Sequence, residues 1–345
     1  MAYAIKKGSD YFKAVTYTGT GASQDVNVGF SPDFTWIKNR SHNDADPYYG
    51  VHLLYDTIRG VGNRLISSST TTEAFSGGAL TSFNSDGYSV GTDNSVSYSG
   101  DSFISWNWKG GESTVVNTDG TITSNVSVNT TSGFSVVTYT GNGTSGATVG
   151  HGLGSTPKMI IIKNRTYGVN WRAYHASLGA TKYLNFNLTN TVGTSSLPWN
   201  NTAPGSSVFT LGSEDNLNRN TDNMVAYCFA EVDGFSKISS YIGNGSSDGT
   251  FVYTGFRPAF VLFKNTNTAQ NWIIMDTIRD PKNKMTQWLQ PSSNAAEYTD
   301  GNIAVDFLSN GFKLRNLAGT ELNGNGNEII YMAFAETPFK FANAR

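Results

Sequence analysis

Four histidines, one cysteine and 26 carboxylates are the groups of this 345-residue chain best suited to bond-making chemistry. Three acid pairs stand close in sequence: Asp44/Asp46, Glu231/Asp233 and Asp300/Asp306. Two acids flanking a glycosidic bond are the equipment of most sugar-cleaving enzymes, so each pair is a candidate for hydrolysis. None of the pairs recurs elsewhere in the chain, and each sits among glycine or polar residues typical of an exposed turn. Asn43-Asp44-Ala45-Asp46 offers oxygens to a calcium ion but lacks the rest of a ligand set. His42, His52, His151 and His175 are scattered, with no metal-ligand spacing. His151 lies in Gly150-His151-Gly152-Leu153-Gly154, which reads as turn chemistry because no helix follows to receive an anion. Cys228, inside the apolar run Met224–Phe229, reads as a buried structural thiol. These residues assign no catalytic group, cofactor or metal ligand, and the expectation is a protein that is not an enzyme.

Contact chemistry has better candidates. Trp171, Trp199, Trp272 and Trp288 lie near loops rich in Asn and Gln, where an exposed ring beside amides can stack on a sugar and bond its hydroxyls. They are the candidate glycan or partner contacts. Their other reading is core filling or an interface.

The elements that must position such residues are repeated. Pro32-Asp33-Phe34-Thr35-Trp36-Ile37-Lys38-Asn39-Arg40 returns as Pro157-Lys158-Met159-Ile160-Ile161-Ile162-Lys163-Asn164-Arg165 and as Pro258-Ala259-Phe260-Val261-Leu262-Phe263-Lys264-Asn265-Thr266. Proline is tolerated at the start of a strand, and the apolar, β-branched run after it reads as a strand buried on both faces. Ahead of each copy stands an aromatic strand running into Gly-x-Gly, anchored at Tyr17, Tyr139 and Tyr241. Each copy closes with a strand pair ending in Phe103–Trp108, Val225–Phe229 and Ile330–Phe334. In the first of these, Trp106 and Trp108 point to one face and Ser105 and Asn107 to the other, the alternation expected of a half-buried antiparallel strand. Asp56-Thr57-Ile58-Arg59 and Asp276-Thr277-Ile278-Arg279 recur in the first and third copies, whereas the second has Tyr174-His175-Ala176-Ser177. That reads as a turn held by an Asp–Arg pair or by side-chain to backbone bonds.

With no sustained helical period, the expected fold is all-β: three tandem antiparallel, jelly-roll-like β-sandwich domains, each with its own core. The expected boundaries are an N-terminal arm at 1–11, repeats at 12–111, 134–233 and 234–345, and a linker at 112–133. The linker is expected to hold a hairpin with an Asp119-Gly120 turn. Its length lets the first repeat swing, while the short link 230–234 couples the second and third rigidly.

Only 14% of residues are charged and the formal net charge is -2, so the chain offers no basic field for nucleic acid. No apolar run reaches membrane-spanning length, and the start lacks the apolar core of a signal peptide. The expectation is a soluble protein made inside a cell.

As a set, Phe103-Ile104-Ser105-Trp106-Asn107-Trp108-Lys109-Gly110-Gly111, Val225-Ala226-Tyr227-Cys228-Phe229-Ala230-Glu231, Phe251–Phe260 and Met332-Ala333-Phe334-Ala335-Glu336-Thr337-Pro338-Phe339-Lys340 resemble tandem-repeat virion proteins of marine tailed bacteriophages, described as tail-fibre or structural proteins of cyanophages and related phages. The resemblance runs from Tyr17 onward. It implies a virion component assembled in the host cytoplasm, a compact fibre tip or spike touching a host glycan or surface protein. It also implies other virion proteins as partners and homo-oligomers, trimers among them. A head or neck decoration without a receptor role and a polysaccharide depolymerase are the alternatives. The arm at 1–11 is the candidate for attachment to the particle.

Overall fold

The computed structural model describes residues 5–42, 49–299, 301–315 and 320–338. Its organisation follows from the strand Ser102–Trp108. Ile104, Trp106 and Trp108 project to one face, Phe103, Ser105 and Asn107 to the other, and all six are buried, which corrects the expectation of a half-buried strand. A strand buried on both faces needs a cover on each. One cover is a small sheet of the same unit; the other is the remaining two units.

The protein is all-β, built from antiparallel sheets. The larger sheet of the first unit runs in spatial order Phe12–Thr18, Ser102–Trp108, Phe34–Asn39, His52–Asp56, Asn63–Ile66, Ala74–Phe75. The second unit repeats the first four as Phe134–Thr140, Asn223–Phe229, Met159–Asn164 and Arg172–His175. The third repeats them as Ser236–Ile242, Glu328–Pro338, Phe256–Asn265 and Ile273–Asp276. Each unit adds a smaller sheet: Gln24–Asn27 with Gly87–Val90 and Leu80–Asn84, Thr148–Gly150 with Val208–Thr210, and Phe251–Tyr253 with Gly311–Leu314 and Val305–Leu308. The repeated tyrosine has one task in all three. The Tyr17, Tyr139 and Tyr241 hydroxyls donate to Val96 O, Leu217 O and Leu322 O at 2.8, 2.7 and 2.7 Å, in the short helical turns Asn94–Ser97, Asp215–Asn218 and Thr320–Asn323.

Register matches the units position by position. Trp106, Tyr227 and Met332 lie opposite Ala14, Val136 and Ile238 on one side, and Trp36, Ile161 and Leu262 on the other. These inward faces do not form three separate cores. Phe12, Trp36, Trp106 and Trp108 of the first unit, Phe134, Tyr227 and Phe229 of the second, and Phe260, Met332 and Phe334 of the third belong to one cluster. The Trp108 ring alone lies 4.9–6.4 Å from Phe12, Phe34, Phe134, Phe229, Phe260 and Phe334. Each unit keeps a satellite core between its two sheets, as with Ile37, Phe103, Val26 and Tyr88 in the first.

The expectation of separately cored modules with a swinging first repeat is therefore corrected. The larger sheets carry apolar residues on both faces, and only the neighbouring units can dry the second face. The stretch expected to be a linker is docked as well. Val115–Asn117 and Ser124–Asn129 form a hairpin, joined by residues 118–123 and not by the expected tight Asp119-Gly120 turn, and extend the second unit's sheet through Phe134–Thr140. Ser127 Oγ and the Gly110 N–H donate to the buried Asp33 carboxylate at 2.9 and 2.8 Å, tying that hairpin to the first unit. Nor is the described part of the arm free: Ile5 is buried in the shared core and Gly8–Asp10 forms a 3-10 turn.

Replacing Trp108 by alanine opens a cavity in the shared core, with an expected cost of about 3–5 kcal/mol. Because that core belongs to all units, urea unfolding of the variant should remain one transition with a lowered midpoint. A variant in which only one part of the chain loses stability, the rest keeping the parent midpoint, would contradict the shared core.

Candidate functional site

The chemistry-bearing side chains gather at the three seams between units. At the first, Asp56 and Arg59 form a fully buried pair at 2.5 Å, and the Arg59 N–H caps the other Asp56 oxygen at 2.9 Å. Tyr227 of the second unit donates to Asp56 at 2.9 Å and accepts from Arg59 at 3.2 Å. Arg59 also reaches Glu73 at 3.0 Å, and Glu73 pairs with Arg165 of the second unit at 2.7 Å. Burial pulls the Arg59 guanidinium down, but Asp56, Tyr227 and Glu73 outweigh it and hold the pKa above its ordinary value. Glu73 is held below the usual carboxylate range by Arg165 and Arg59 against the opposing effect of burial.

The seam between third and first units is built the same way. Asp276 and Arg279 pair at 2.6 Å, Trp106 Nε1 donates to Asp276 at 3.0 Å, Arg279 meets Glu297 at 2.8 Å, and Glu297 pairs with Arg40 at 2.6 Å. The seam between second and third units differs for a physical reason. Met332 stands where Trp106 and Tyr227 stand in the other units, and a thioether has no proton for a carboxylate. Opposite it the Asp is replaced by His175, whose Nδ1 accepts the Ser177 N–H at 3.3 Å and whose Nε2 meets Tyr331 O at 3.3 Å. That pairing requires a neutral imidazole with its proton on Nε2, and burial lowers the pKa of His175 to about 4.

The repeated Lys-Asn words complete the ring. Lys38, Lys163 and Lys264 are buried, and each ammonium donates to a neighbouring unit's carbonyl: Asn294 O at 3.4 Å, Thr70 O at 3.2 Å and Thr189 O at 3.1 Å. Local carbonyls supply further acceptors, among them Gly50 O at 2.6 Å, Val169 O at 2.8 Å and Gln270 O at 2.7 Å. Burial lowers Lys38 to about 7 and Lys163 and Lys264 to about 8. Each following asparagine turns its side-chain oxygen onto the next backbone N–H groups, which ends the strand. One residue later, Glu297 N, Glu73 N and Val192 N bond Arg40 O, Arg165 O and Thr266 O at 2.9, 3.0 and 3.0 Å. The first unit is thus fastened to the third, the second to the first and the third to the second.

The four candidate tryptophans are not contact residues. Trp171, Trp199, Trp272 and Trp288 are 0, 1, 1 and 6% exposed. Trp171 and Trp272 are bolts across seams, their Nε1 atoms donating to Ile66 O and Asn185 O at 3.0 Å. Trp199 packs edge-on against Tyr174, and Trp288 lies beneath Tyr298 at 4.1 Å. Sheet edges and seams had to be filled with large apolar rings, and that need placed them inside. Of the acid pairs, Asp44, Asp46 and Asp300 lie outside the described residues. Asp306 pairs with Arg315 at 3.2 Å, and Glu231 accepts Lys237 and the Ile238 N–H. Among the described residues no group of three or more His, Cys, Asp or Glu could hold a metal ion. His151 closes its turn by accepting the Leu153 N–H, with Gly152 and Gly154 in the left-handed region. Burial pushes the Cys228 thiol well up, which leaves it unreactive.

Open to solvent among the described residues are several clefts and, in the third unit, a pair of aromatic side chains. A cleft of about 830 Å³ lies between the first unit and the docked hairpin, beside Tyr11, Asp33, Lys109 and Glu112. The carboxyl of Asp33 is raised by burial, yet its oxygens already accept Ser127, Gly110 and Thr57. The third unit exposes Phe251 and Tyr253 on the outside of its smaller sheet. Sequence reasoning passed over this pair, although comparing alternate residues of that strand across the three copies isolates it.

A family model matches residues 7–338, across all three units. The chain belongs to the family described as domain of unknown function DUF7483. The matched region spans the whole ring, so this family's unit is the three-part body and not one repeat of it. No curated protein matches the chain.

Two outcomes are expected at the seams. Asp56→Ala strands Arg59 in the interior and should cost about 3–5 kcal/mol, while Asp56→Leu combined with Arg59→Met should cost distinctly less; denaturant titration of the two variants beside the parent decides it. His175 has a folded pKa below its unfolded value of 6.5, so its stabilisation is complete above pH 6.5 and is lost as pH falls toward about 4. The loss amounts to about 3 kcal/mol. In His175→Gln that share of the acid limb should vanish from a pH series of unfolding free energies, and an unchanged limb would contradict the neutral seam histidine.

Proposed function

We propose that this chain is a non-enzymatic structural protein of a bacteriophage particle, a compact rigid module of a tail fibre or spike that presents its surface to the host cell. The observation that carries the reading is where the reactive side chains go. The buried Asp–Arg pairs, the three buried lysines and His175 are spent on holding one unit to the next. A protein whose polar interior is consumed in fastening gains stiffness at the expense of chemistry, as an exposed particle component needs. The resemblance of the repeated words to phage virion proteins supports the same reading. On it, the three units are tandem copies of one β-sandwich that have come to share an interior.

The test is location. Phage particles labelled with antibody against this chain and imaged by negative stain should carry label on the tail appendage. Label on the capsid shell would overturn the fibre reading in favour of a decoration, and unlabelled particles would overturn the structural role altogether.

A further inference from the structure

The three units are an internal control for one another, and at one place the third departs from both others. Strand register makes Thr18, Asp25 and Asn27 of the first unit equivalent to Thr140, Thr148 and Gly150 of the second and to Ile242, Phe251 and Tyr253 of the third. In the first unit the positions are exposed and polar; Asp25 accepts from Ser89, and Asn27 donates to Asp86 at 3.0 Å. In the second Thr140 is exposed and polar, and Thr148 and Gly150 are overlaid by the chain itself, Ile122 N donating to Thr148 O at 2.9 Å and Ser124 Oγ to Gly150 O at 2.8 Å. In the third they are 56, 43 and 64% exposed. Three apolar substitutions at three matched surface positions make a built patch, not scatter.

The surroundings specify what it takes. Phe251 and Tyr253 point to the same face of the strand, which spaces their attachment points about 7 Å apart. Tyr253 also walls a cleft of about 330 Å³ at the junction with the second unit, where Glu231, Asp233 and Lys237 offer donors and acceptors. Apart from Asp233, the charges here are matched: Lys313 pairs with Asp248 at 2.8 Å and Arg315 with Asp306 at 3.2 Å, while Lys237 pairs with Glu231 at 3.2 Å in the cleft. Paired charges leave little field to draw an ionic ligand. Two aromatic faces bordered by hydrogen-bonding groups fit a molecule with an apolar C–H face and a rim of hydroxyls.

We propose that the third unit binds a neutral saccharide, stacked on Phe251 and Tyr253 with its next residue in the cleft beside Glu231, Asp233 and Lys237. The biological setting rests on the host-contact reading above; the site itself does not. Maltoheptaose, cellohexaose and digests of mannan and galactan would be titrated calorimetrically into the full chain. At least one should bind, and Phe251→Ala and Tyr253→Ala should each weaken it roughly tenfold or more, with unfolding midpoints unchanged. Asn27→Ala, at the matched place in the first unit, should leave binding intact. The proposal is overturned if none of these glycans binds, or if binding survives both aromatic substitutions. It is equally overturned if the full chain forms a concentration-dependent dimer that Tyr253→Ala abolishes, since the patch's occupant would then be a second copy. Particle labelling separates the two readings: sugar binding by a chain absent from particles would keep the site and discard the function.

Discussion

The structure depends on one constraint: each larger sheet is apolar on both faces, and a single unit can cover only one of them. Ile37 and Phe103 turn outward to the unit's own smaller sheet, and Trp36, Trp106 and Trp108 turn inward, where no sheet of the same unit lies. Burying a large aromatic side chain is worth a few kcal/mol relative to leaving it in water. The inward faces of three units together supply a cluster that none could dry alone. Around that cluster the polar groups follow. A buried Asp or Arg is tolerable only when its partner is fixed, and here the partner's support comes from the adjoining unit.

This explains why the repeats differ where they do. Asp and Arg recur only where the next unit turns a donor, Trp106 or Tyr227, toward the seam. Where Met332 is turned instead, a neutral histidine replaces them. The outer loops tell the same story: Arg40 and Arg165 have glutamate partners, whereas at the third seam Thr266 meets Val192 through backbone alone. Departures from the repeat are thus matched across each seam, which couples the three copies as parts of one object. Separate subunits of a trimer pack around an axis by equivalent contacts; here three segments of one chain make equivalent contacts with one another.

Much of this was legible in the sequence and some was not, for physical reasons. The repeated strand, its burial on both faces, the alternation of Trp106 and Trp108 and the Asp–Arg turn are all local signals and stand in the structure; the opening proline does not in the third copy, where Pro258 lies inside the strand Phe256–Asn265 at a break in its register. What covers the second face is not local. An apolar run reads alike whether its neighbour is the same unit or the next, so the shared core was invisible and separate modules were expected. Lys38, Lys163 and Lys264 were visible as words but not as bolts, because a lysine ordinarily faces solvent. Trp171 and Trp272 misled in the opposite direction, since a tryptophan beside Asn in a loop looks the same whether it meets a ligand or plugs a seam. Phe251 and Tyr253 were readable, but only by comparing copies.

Native-state hydrogen exchange tests the central claim most directly, namely that the three units form one cooperative body. Amides of the central strands Ser102–Trp108, Asn223–Phe229 and Ile329–Ala335 should share one opening free energy, equal to that of global unfolding. Exchange of one of these strands at distinctly lower cost, the other two staying protected, would show a unit able to unfold by itself and would contradict the account.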